Sequence, residues 1–361
     1  MSLFYIHLPM SEAKNDSEYS VVVERLTQSY GAMKAVDGVS FKIKKGEIVG
    51  FLGPDGAGKS TTMKILSGLM PATSGRAYIC GVSVANDPKL AQSHLGYMPE
   101  NNPLPEEMRV KEYLTFRAKI KGVRGRDVKA NVQEAMEVCQ LHRKASRKII
   151  GNLSKGFRQR VGIADALLSK PDVIIMDEPT IGLDPHQIIA IRELIDSLRG
   201  RMSVIISSHI LPEIELVCDR VMIINQGRIV ASGTPASLRE EFLPHNTYEV
   251  SAKIGEARVL EIISNMDCGF KLESYRRNPE DSYAEFLLKT NSRENLGAKL
   301  VEAFAANPAF ALRRVNLKIP SLEDIFMVAT RRSWEQTNDS LQLEPQGADS
   351  RNGEGEEKGW K

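Results

Sequence analysis

The sequence predicts an α/β protein built around a parallel sheet, and three observations indicate this class. The stretch EIVGFLGPDGAGKSTTMKIL (residues 47–66) reads as an apolar strand, a glycine-rich loop and a helix. Apolar strands at 172–179 and 202–209 flank a helical segment, and this order gives a parallel β-α-β unit. Residues 19–44 alternate between apolar and polar positions, so we expect a β-rich start.

The remaining elements follow in chain order. Residues 107–142 read as helices. The residues that share one apolar face there, which we interpret as core packing, are Val128, Val132, Met136 and Cys139. A strand at 219–227 and the hairpin-like stretch RIVASG (228–233) come after the β-α-β unit. Beyond about residue 245 the order of short segments is β-α-β-β-α-β, which is typical of a ferredoxin-like α+β domain.

These patterns divide the chain into four segments, one of which contains a helical subdomain. A polar start is expected to be a flexible leader, the end is expected to be a disordered tail, and the middle holds a large and a small domain. The predicted bounds are 1–18 for the leader, 19–244 for the α/β domain, about 101–160 for a helical subdomain within it, 245–332 for the C-terminal accessory domain and 333–361 for the tail.

Composition excludes several classes of protein. The net charge is +2 with both signs interspersed, so no nucleic-acid partner is expected. The apolar runs are too short to span a bilayer, so at a membrane another chain would do the spanning. The start lacks the pattern of a signal peptide. The 4 cysteines include no Cys-x-x-Cys pair, so we expect a reduced, cytosolic protein without a zinc site or disulfides.

The loop Gly53 to Ser60, GPDGAGKS, fits the phosphate-loop pattern G-x-x-x-x-G-K-[ST] in its required context between a strand and a helix. Gly56 and Gly58 let backbone amides face phosphate groups, and Lys59 adds a positive charge. The hydroxyl of Ser60 is then expected to reach Mg²⁺. The loop therefore predicts a site for a nucleoside triphosphate.

The strand VIIMDEP ends in Asp177 and Glu178 at its carboxyl edge, where ligands of parallel sheets bind. An Asp-Glu pair in this position is often only a capping feature. Coupled to a phosphate loop, it predicts that Asp177 holds Mg²⁺ and that Glu178 activates the attacking water as general base.

A second anion site is predicted at LSKGFRQR (residues 153–160). Ser154 is a plausible N-cap, and free amides follow it in the first turn of a helix. Since the phosphate loop already supplies one complete phosphate site, this stretch raises the question of which anion it binds.

Taken together, the motifs resemble those of the nucleotide-binding subunits of ATP-binding cassette (ABC) transporters. The resemblance runs from about Val21 to Gly233. It rests on motifs in the family's order, namely GPDGAGKST, GYMPE, NLSKGFRQRVGIADALL, DVIIMDEPTIGLDP and SSHILPEIE. It implies a P-loop NTPase fold, ATP and Mg²⁺ as ligands, and ATP hydrolysis. GYMPENNPL, LSKGFRQR, EPTIGLDPHQ and the ending PSLEDIF look most like the subgroup that serves export-type (ABC-2) permeases.

The resemblance assigns further roles. It implies that Tyr30 stacks on adenine, although a buried strand tyrosine is the alternative. His209 matches a switch histidine at the γ-phosphate, and Asp184 lies in a loop between two subunits. Ser154 and Gly156 match the signature loop that meets the γ-phosphate held by a second copy. The residues of the phosphate loop that are expected to contact ATP are Gly53, Pro54, Asp55, Gly56, Ala57, Gly58, Lys59, Ser60 and Thr61.

Three departures from the family pattern are present. Lys155 and Phe157 replace the usual Gly and Gln of the signature. Glu100 stands where a glutamine is common, and its carboxylate is expected to contact the metal. Asp55 replaces an Asn, a change that should be tolerated because the loop binds phosphate mainly through backbone amides.

The resemblance implies an ATPase subunit that forms a homodimer around two ATP molecules at the cytoplasmic face of a membrane. It would drive a separate ABC-2 type permease, with export as the expected direction. One alternative is a soluble ABC ATPase that acts on ribosomes or nucleic acid, although such proteins usually carry two cassettes or a long coiled coil. Another alternative is a regulator, in which the C-terminal domain is a sensor. That domain is equally compatible with a role in dimerisation.

Overall fold

The computed structural model describes residues 18–331, except for residues 142, 280 and 293 and the side chains of residues 143 and 144. Within this part of the chain the strands form three sheets, and helices pack against them. The predicted leader, apart from residue 18, and the predicted tail at 333–361 lie outside the described residues.

The strands and helices are numbered in chain order. The strands are β1 (Tyr19–Tyr30), β2 (Met33–Lys44), β3 (Ile48–Leu52), β4 (Ser74–Ile79), β5 (Val82–Ser83), β6 (Leu95–Met98), β7 (Val173–Asp177), β8 (Ser203–Ser208), β9 (Arg220–Asn225), β10 (Arg228–Gly233), β11 (Asn246–Ala252), β12 (Lys271–Arg277), β13 (Ala284–Thr290) and β14 (Arg314–Lys318). The helices are α1 (Lys59–Leu66), α2 (Pro88–Ser93), α3 (Val110–Ile120), α4 (Val128–Val138), α5 (Arg143–Ser146), α6 (Lys155–Leu167), α7 (Pro185–Asp196), α8 (Leu211–Val217), α9 (Pro235–Phe242), α10 (Glu256–Asn265) and α11 (Gly297–Ala305). A further helix, whose described part covers residues 322–331, is called here the C-terminal helix. Short 3₁₀ turns cover Ile150–Asn152 and Pro308–Phe310. Among the described residues, no helix has the length and apolar character needed to cross a bilayer.

The first sheet is antiparallel and confirms the predicted β-rich start. Its strand order is β2-β1-β4-β5. Residues in β2 alternate between buried and exposed from Val39 to Lys44, as expected for a sheet with one face against the core. The sequence does not predict β4, β5 and α2, because these elements are too short to give a periodic signal.

The second sheet has the order β10-β9-β3-β8-β7-β6 and is parallel except for its β9–β10 edge. The parallel core that the sequence predicts is therefore confirmed. In its register Leu52 lies beside Ser208, and Asp177 lies beside Ser207. The carboxyl ends of β3, β7 and β8 thus meet at one edge of the sheet, which brings the predicted phosphate loop and the Asp-Glu pair together.

Apolar residues on the two faces of the second sheet belong to different cores. In β3, Ile48 and Leu52 pack with the helical side, whereas Val49 and Phe51 pack with the first sheet and α1. Each of these four residues is fully buried. Because the side chains of a strand alternate in direction, one short strand contributes to both cores and is fixed from both sides.

The helical subdomain is built from α3, α4 and α6, whose apolar faces join the core on one side of the second sheet. All four residues of the predicted core face in α4 and its end are buried. Arg117 of α3 makes two hydrogen bonds to Asp165 of α6, Nε to Oδ1 and Nη2 to Oδ2, each 3.0 Å long. This bidentate pair connects the first and last helices of the subdomain.

The third sheet is antiparallel, with the order β12-β13-β11-β14. With α10 and α11 it follows the predicted β-α-β-β-α-β order, and β11 lies between β13 and β14 as in a ferredoxin-like arrangement. The unit has a core of its own, in which Tyr248, Phe286 and Phe304 are fully buried. The bounds 19–244 and 245–332 stay predictions.

The C-terminal helix leaves this third sheet and returns to the large α/β domain. Its buried residues Leu322, Ile325 and Ala329 belong to the same core as α8 and α9. The closing part of the predicted accessory domain therefore contributes to the core of the domain that precedes it.

Candidate active site

The loop between β3 and α1 has a backbone that accepts only glycine at two positions. Gly58 has a φ of 105°, and a Cβ there would lie 2.3 Å from the carbonyl oxygen of Ala35. At Gly53 a Cβ would lie 2.4 Å from the carbonyl oxygen of Ile224. The loop is therefore pressed against neighbouring backbone, and α1 begins directly behind it at Lys59.

Lys59 is held inside this loop. Its Nζ atom donates hydrogen bonds to the carbonyl oxygens of Gly53, at 2.7 Å, and of Pro54, at 3.1 Å. Only 7% of Lys59 is exposed. Asp55 adds a carboxylate oxygen 3.9 Å from Nζ, but its side chain is fully exposed, so this pair contributes little. The loop thus fixes one buried positive charge, which suits an anion such as a phosphate group.

Asp177 and Glu178 lie at the end of β7, where Ser207 of the neighbouring strand β8 orders both of them. The Ser207 hydroxyl donates a short hydrogen bond to Oδ1 of Asp177. The amide of Glu178 donates to the carbonyl and hydroxyl oxygens of Ser207, each at 3.1 Å. Glu178 has a φ of 50°, in the left-handed region that costs a side-chain-bearing residue about 1–2 kcal/mol. The surrounding hydrogen bonds hold Glu178 in this conformation.

Glu178 is also paired with His209. Its Oε2 atom lies 2.7 Å from Nδ1 of His209, which follows β8. The Glu178 side chain is 10% exposed, and the His209 side chain is 51% exposed. The two residues predicted as general base and γ-phosphate contact are therefore in direct contact.

One cavity of about 520 Å³ is lined by eight of the predicted site residues. Those that line it are Gly53, Pro54, Asp55, Lys59, Ser60, Glu100, Glu178 and His209. The wall also includes residues that sequence reasoning missed, which are Ile181, Ser208, Leu211 and Phe326. Asp177 is buried and does not line the cavity, and Gly56, Ala57, Gly58 and Thr61 complete the loop and the start of α1.

Glu100 is exposed at the wall of the cavity, just after β6. Beneath it, burial raises the pKa of the Tyr97 phenol to about 12, and the negative charges of Asp177 and Glu100 act in the same direction. Tyr97 therefore stays neutral beside two carboxylates at any physiological pH. Sequence reasoning missed this residue, although the motif GYMPE contains it.

Oxygen atoms dominate the part of the site where a metal is predicted. Ser60 supplies a hydroxyl, and Asp177 and Glu100 supply carboxylates. Hard divalent cations such as Mg²⁺ prefer these donors. Asp177 uses one carboxylate oxygen to accept from Ser207, which leaves the other for a ligand. The donor set therefore fits Mg²⁺.

The other predicted anion site lies elsewhere on the surface. Ser154 is the N-cap of α6, where its hydroxyl oxygen accepts from the Phe157 amide at 3.5 Å. Asp184 caps α7 in the same way, accepting from the Gln187 amide at 3.0 Å. A Cβ at Gly156 would lie 2.3 Å from Oε1 of Gln187, so these two helix starts are in contact. None of the three predicted residues here lines the 520 Å³ cavity.

Tyr30 ends β1 and also lies outside that cavity. It is 47% exposed, and its hydroxyl lies 3.2 Å from the sulfur of Met70. The alternative of a buried strand tyrosine is therefore wrong. A role in stacking on adenine stays a prediction, and an exposed aromatic face is compatible with it.

The sequence of this chain matches known families and proteins. The family model described as ABC transporter matches residues 36–181, and a model described as an AAA domain, putative AbiEii toxin, matches residues 149–216. The chain is 38% identical over 216 residues to a linearmycin resistance ATP-binding protein of Bacillus subtilis (strain 168), covering 60% of this chain and 69% of the relative. It is 31% identical over 324 residues to a Nod factor export ATP-binding protein of Rhizobium sp. (strain N33), covering 88% and 99%.

Solved structures give the same picture. An ATP-binding subunit of an ABC transporter has a TM-score of 0.56 and 33% identity, covering 62% of this chain and 92% of that one. A protein of Clostridium perfringens that is part of the cbiONQ ABC transporter complex has a TM-score of 0.56 and 27% identity, covering 63% and 96%. The P-loop cassette fold predicted from the motifs is thereby confirmed.

Proposed function

This chain belongs to the ABC transporter family of ATP-binding subunits, and we propose that it hydrolyses ATP as one half of a homodimer that powers export through a separate membrane permease. The observation that carries the proposal is the cavity that is lined by the phosphate loop together with Glu178 and His209. Binding and hydrolysis both need these groups at one place.

Each residue of the cavity has a separate task in this proposal. Lys59 and the loop amides bind the phosphates of ATP. Ser60, Asp177 and Glu100 hold Mg²⁺, which neutralises charge on the phosphates when bound. Glu178 takes a proton from the attacking water, and His209 keeps the Glu178 carboxylate in place while its exposed edge faces the γ-phosphate.

The proposed dimer follows from the location of Ser154. Ser154 and Gly156 are expected to contact a γ-phosphate, yet they lie outside the cavity of their own chain. A second copy brings them to that cavity if the two chains face each other. Two ATP molecules then lie between the subunits, and hydrolysis separates them.

The proposed partner is an ABC-2 type permease, with this chain bound at the cytoplasmic face of the membrane. The relatives named for linearmycin resistance and for Nod factor export support export. A groove of about 630 Å³ in the helical subdomain is a candidate site for a short helix of the permease. Its wall includes Phe116, which is 52% exposed, and the side chains of Lys111 and Glu112.

The Lys59→Ala variant tests the assignment of the ATP site. It removes the buried charge of the loop, so equilibrium binding of a fluorescent ATP analogue should weaken by at least about tenfold, since hydrogen bonds to charged groups contribute about 1.5–3 kcal/mol. Lys64→Ala is the matched control, because Lys64 is exposed on the same helix. Unchanged ATP binding by Lys59→Ala would contradict the proposal.

The dimer is tested in the Glu178→Gln background, where ATP should accumulate between the subunits. Light scattering with ATP should give a dimer for Glu178→Gln and a monomer for Glu178→Gln with Ser154→Arg, while both still bind ATP. Ser93→Arg, at an exposed serine on α2, is the matched control and should leave the dimer intact. Equal dimerisation of the Ser154→Arg variant would exclude the shared site.

A further inference from the structure

The C-terminal helix packs into the core of the large α/β domain, although the chain reaches this helix only after the third sheet. Leu322 and Ile325 are fully buried, and Ala329 is 2% exposed. Their core includes Leu211 and Ile214 of α8. The helix is therefore part of the same rigid packing as α8, which follows His209 in the chain.

Polar contacts connect the start of the C-terminal helix to α8 and α9. Oε2 of Glu215, on α8, accepts a hydrogen bond of 3.1 Å from the Leu322 amide. The other oxygen of Glu215 forms a close ion pair with Arg239 of α9, and Nε of Arg239 donates to the carbonyl oxygen of Pro320 at 2.7 Å. One carboxylate thus joins α8 to an otherwise free amide of the helix start.

The helix is also capped from within and is held again near the last residue that the structure describes. The Ser321 amide donates to Oδ2 of Asp324 at 2.9 Å, and the Asp324 amide donates to the Ser321 hydroxyl oxygen at 3.2 Å. This is the reciprocal arrangement of a capping box. Further along, Nδ2 of Asn225 donates to the carbonyl oxygen of Thr330 at 3.3 Å. The described part of the helix is therefore held both at its start and near residue 331.

Phe326 extends from this helix to the wall of the 520 Å³ cavity. It is partly buried against the same core as its helix and lines the cavity with His209 and Leu211. A phenyl ring offers no ligand atom, so its contribution is shape and the exclusion of water next to groups that carry charge. The cavity side of α8 thus borders a residue that is distant from it in sequence.

We propose that the C-terminal helix is a positioning element of the ATP site, in which Phe326 and the contact between Leu322 and Glu215 hold α8 and thereby the His209 imidazole against Glu178. Phe326 is a positioning residue and not a catalytic one. The inference rests on the proposed ATPase function. It gives the accessory domain a physical connection to the site, because the chain passes from β14 directly into this helix.

The consequence for catalysis is specific. ATP affinity depends mainly on the phosphate loop, in which the carbonyl oxygens of Gly53 and Pro54 hold Lys59. The rate of hydrolysis depends instead on how accurately His209 and Glu178 are placed. Loosening the helix should therefore change kcat more than KM. If the helix only covered the core, loosening it would lower the stability of the protein. The kcat of each molecule that remains folded would then be unchanged.

The test uses the full chain and steady-state ATPase kinetics. Phe326→Ala should lower kcat by about 5- to 100-fold with KM for ATP changed less than about threefold, since a misplacement of ~1 Å can cost about 10²-fold. Phe326→Leu refills the space and should restore most of the rate. Met327→Ala is the matched control, because Met327 is 66% exposed on the same helix. Circular dichroism at the assay temperature establishes that each variant is folded.

A double-mutant cycle with His209→Ala separates positioning from a general effect. If Phe326 acts through His209, the double variant should be no slower than His209→Ala alone. Additive losses, or a parental kcat for Phe326→Ala, would overturn the inference. The proposed function is judged separately by Lys59→Ala, so normal ATP binding there would count against the ATPase assignment itself. Loss of binding by Lys59→Ala with an unchanged Phe326→Ala would count against the helix alone.

Discussion

Oε2 of Glu178 and Nδ1 of His209 lie 2.7 Å apart, so the residue proposed to activate water is already held by the residue proposed to contact the γ-phosphate. The contact engages one carboxylate oxygen and leaves the other free to face water. Four hydrogen bonds fix Glu178: its amide donates two, its carbonyl oxygen accepts one from the Ile181 amide, and its side chain makes one with His209.

Replacing Glu178 by Gln should separate ATP binding from hydrolysis. Gln keeps the size of the side chain and its contact with His209 but cannot take a proton, so the hydrolysis rate should fall by about 10²- to 10⁴-fold. ATP affinity should stay within about threefold of the parent, since the loop is unchanged. Phosphate release and equilibrium ATP binding measure the two effects. A variant that turned over at the parental rate would remove Glu178 from the role of base.

Removing His209 tests whether its contact with Glu178 matters for the rate. His209→Ala frees the Glu178 carboxylate to rotate, and kcat should fall by about 10- to 100-fold, since errors of placement of ~1 Å cost up to about 10²-fold. His186→Ala serves as the control, because His186 is exposed on α7 and lies outside the cavity. Equal kcat values for the two variants would contradict the role of the contact.

Two glycines with a positive φ should differ in the cost of substitution, namely Gly58 in the phosphate loop and Gly81 in the turn between β4 and β5. Gly81→Ala meets only the strain of a positive φ, since nothing lies within 4 Å of its added Cβ, and should cost about 1–2 kcal/mol. Gly58→Ala adds a contact of 2.3 Å with the Ala35 carbonyl oxygen, so its free energy of unfolding should fall further and ATP binding should be lost. Urea unfolding and ATP titration measure both effects. Equal stability of the variants would argue against the close approach at Gly58.

The Cys139 and Cys218 thiols should react more slowly in the folded protein than in the unfolded chain. Burial raises the pKa of the Cys139 and Cys218 thiols far above that of a free cysteine. Because the thiolate is the reactive form, these two residues should react slowly with a disulfide reagent at pH 8 and quickly after unfolding in guanidinium. Mass spectrometry of the labelled peptides identifies each site. Rapid labelling of Cys139 in the folded chain would contradict the packing of α4.

Much of the site was readable from sequence because its residues follow strands that end at one sheet edge. The register of β7 and β8 puts Asp177 beside Ser207, and the phosphate loop follows β3 in the same sheet. Local patterns identify such strands and loops, since a strand followed by a glycine-rich turn needs no distant information. The contact between Glu178 and His209 is a consequence of that register.

Phe326 and Tyr97 could not be found in this way. Phe326 reaches the cavity only because the C-terminal helix packs on α8, and a short amphipathic helix does not encode which apolar surface it covers. Tyr97 lies in β6, and its raised pKa depends on burial and on the charges of Asp177 and Glu100, which are distant in sequence or follow the strand. Non-local packing carries this information.

The return of the C-terminal helix also affects the order in which the newly made protein can fold. Leu322, Ile325 and Ala329 complete a core whose other members were synthesised long before them. On the ribosome, the large α/β domain therefore reaches its final packing only after the whole ferredoxin-like unit has left the exit tunnel. During that interval the apolar surface of α8 and α9 that receives the helix is exposed, and exposed apolar surface favours aggregation.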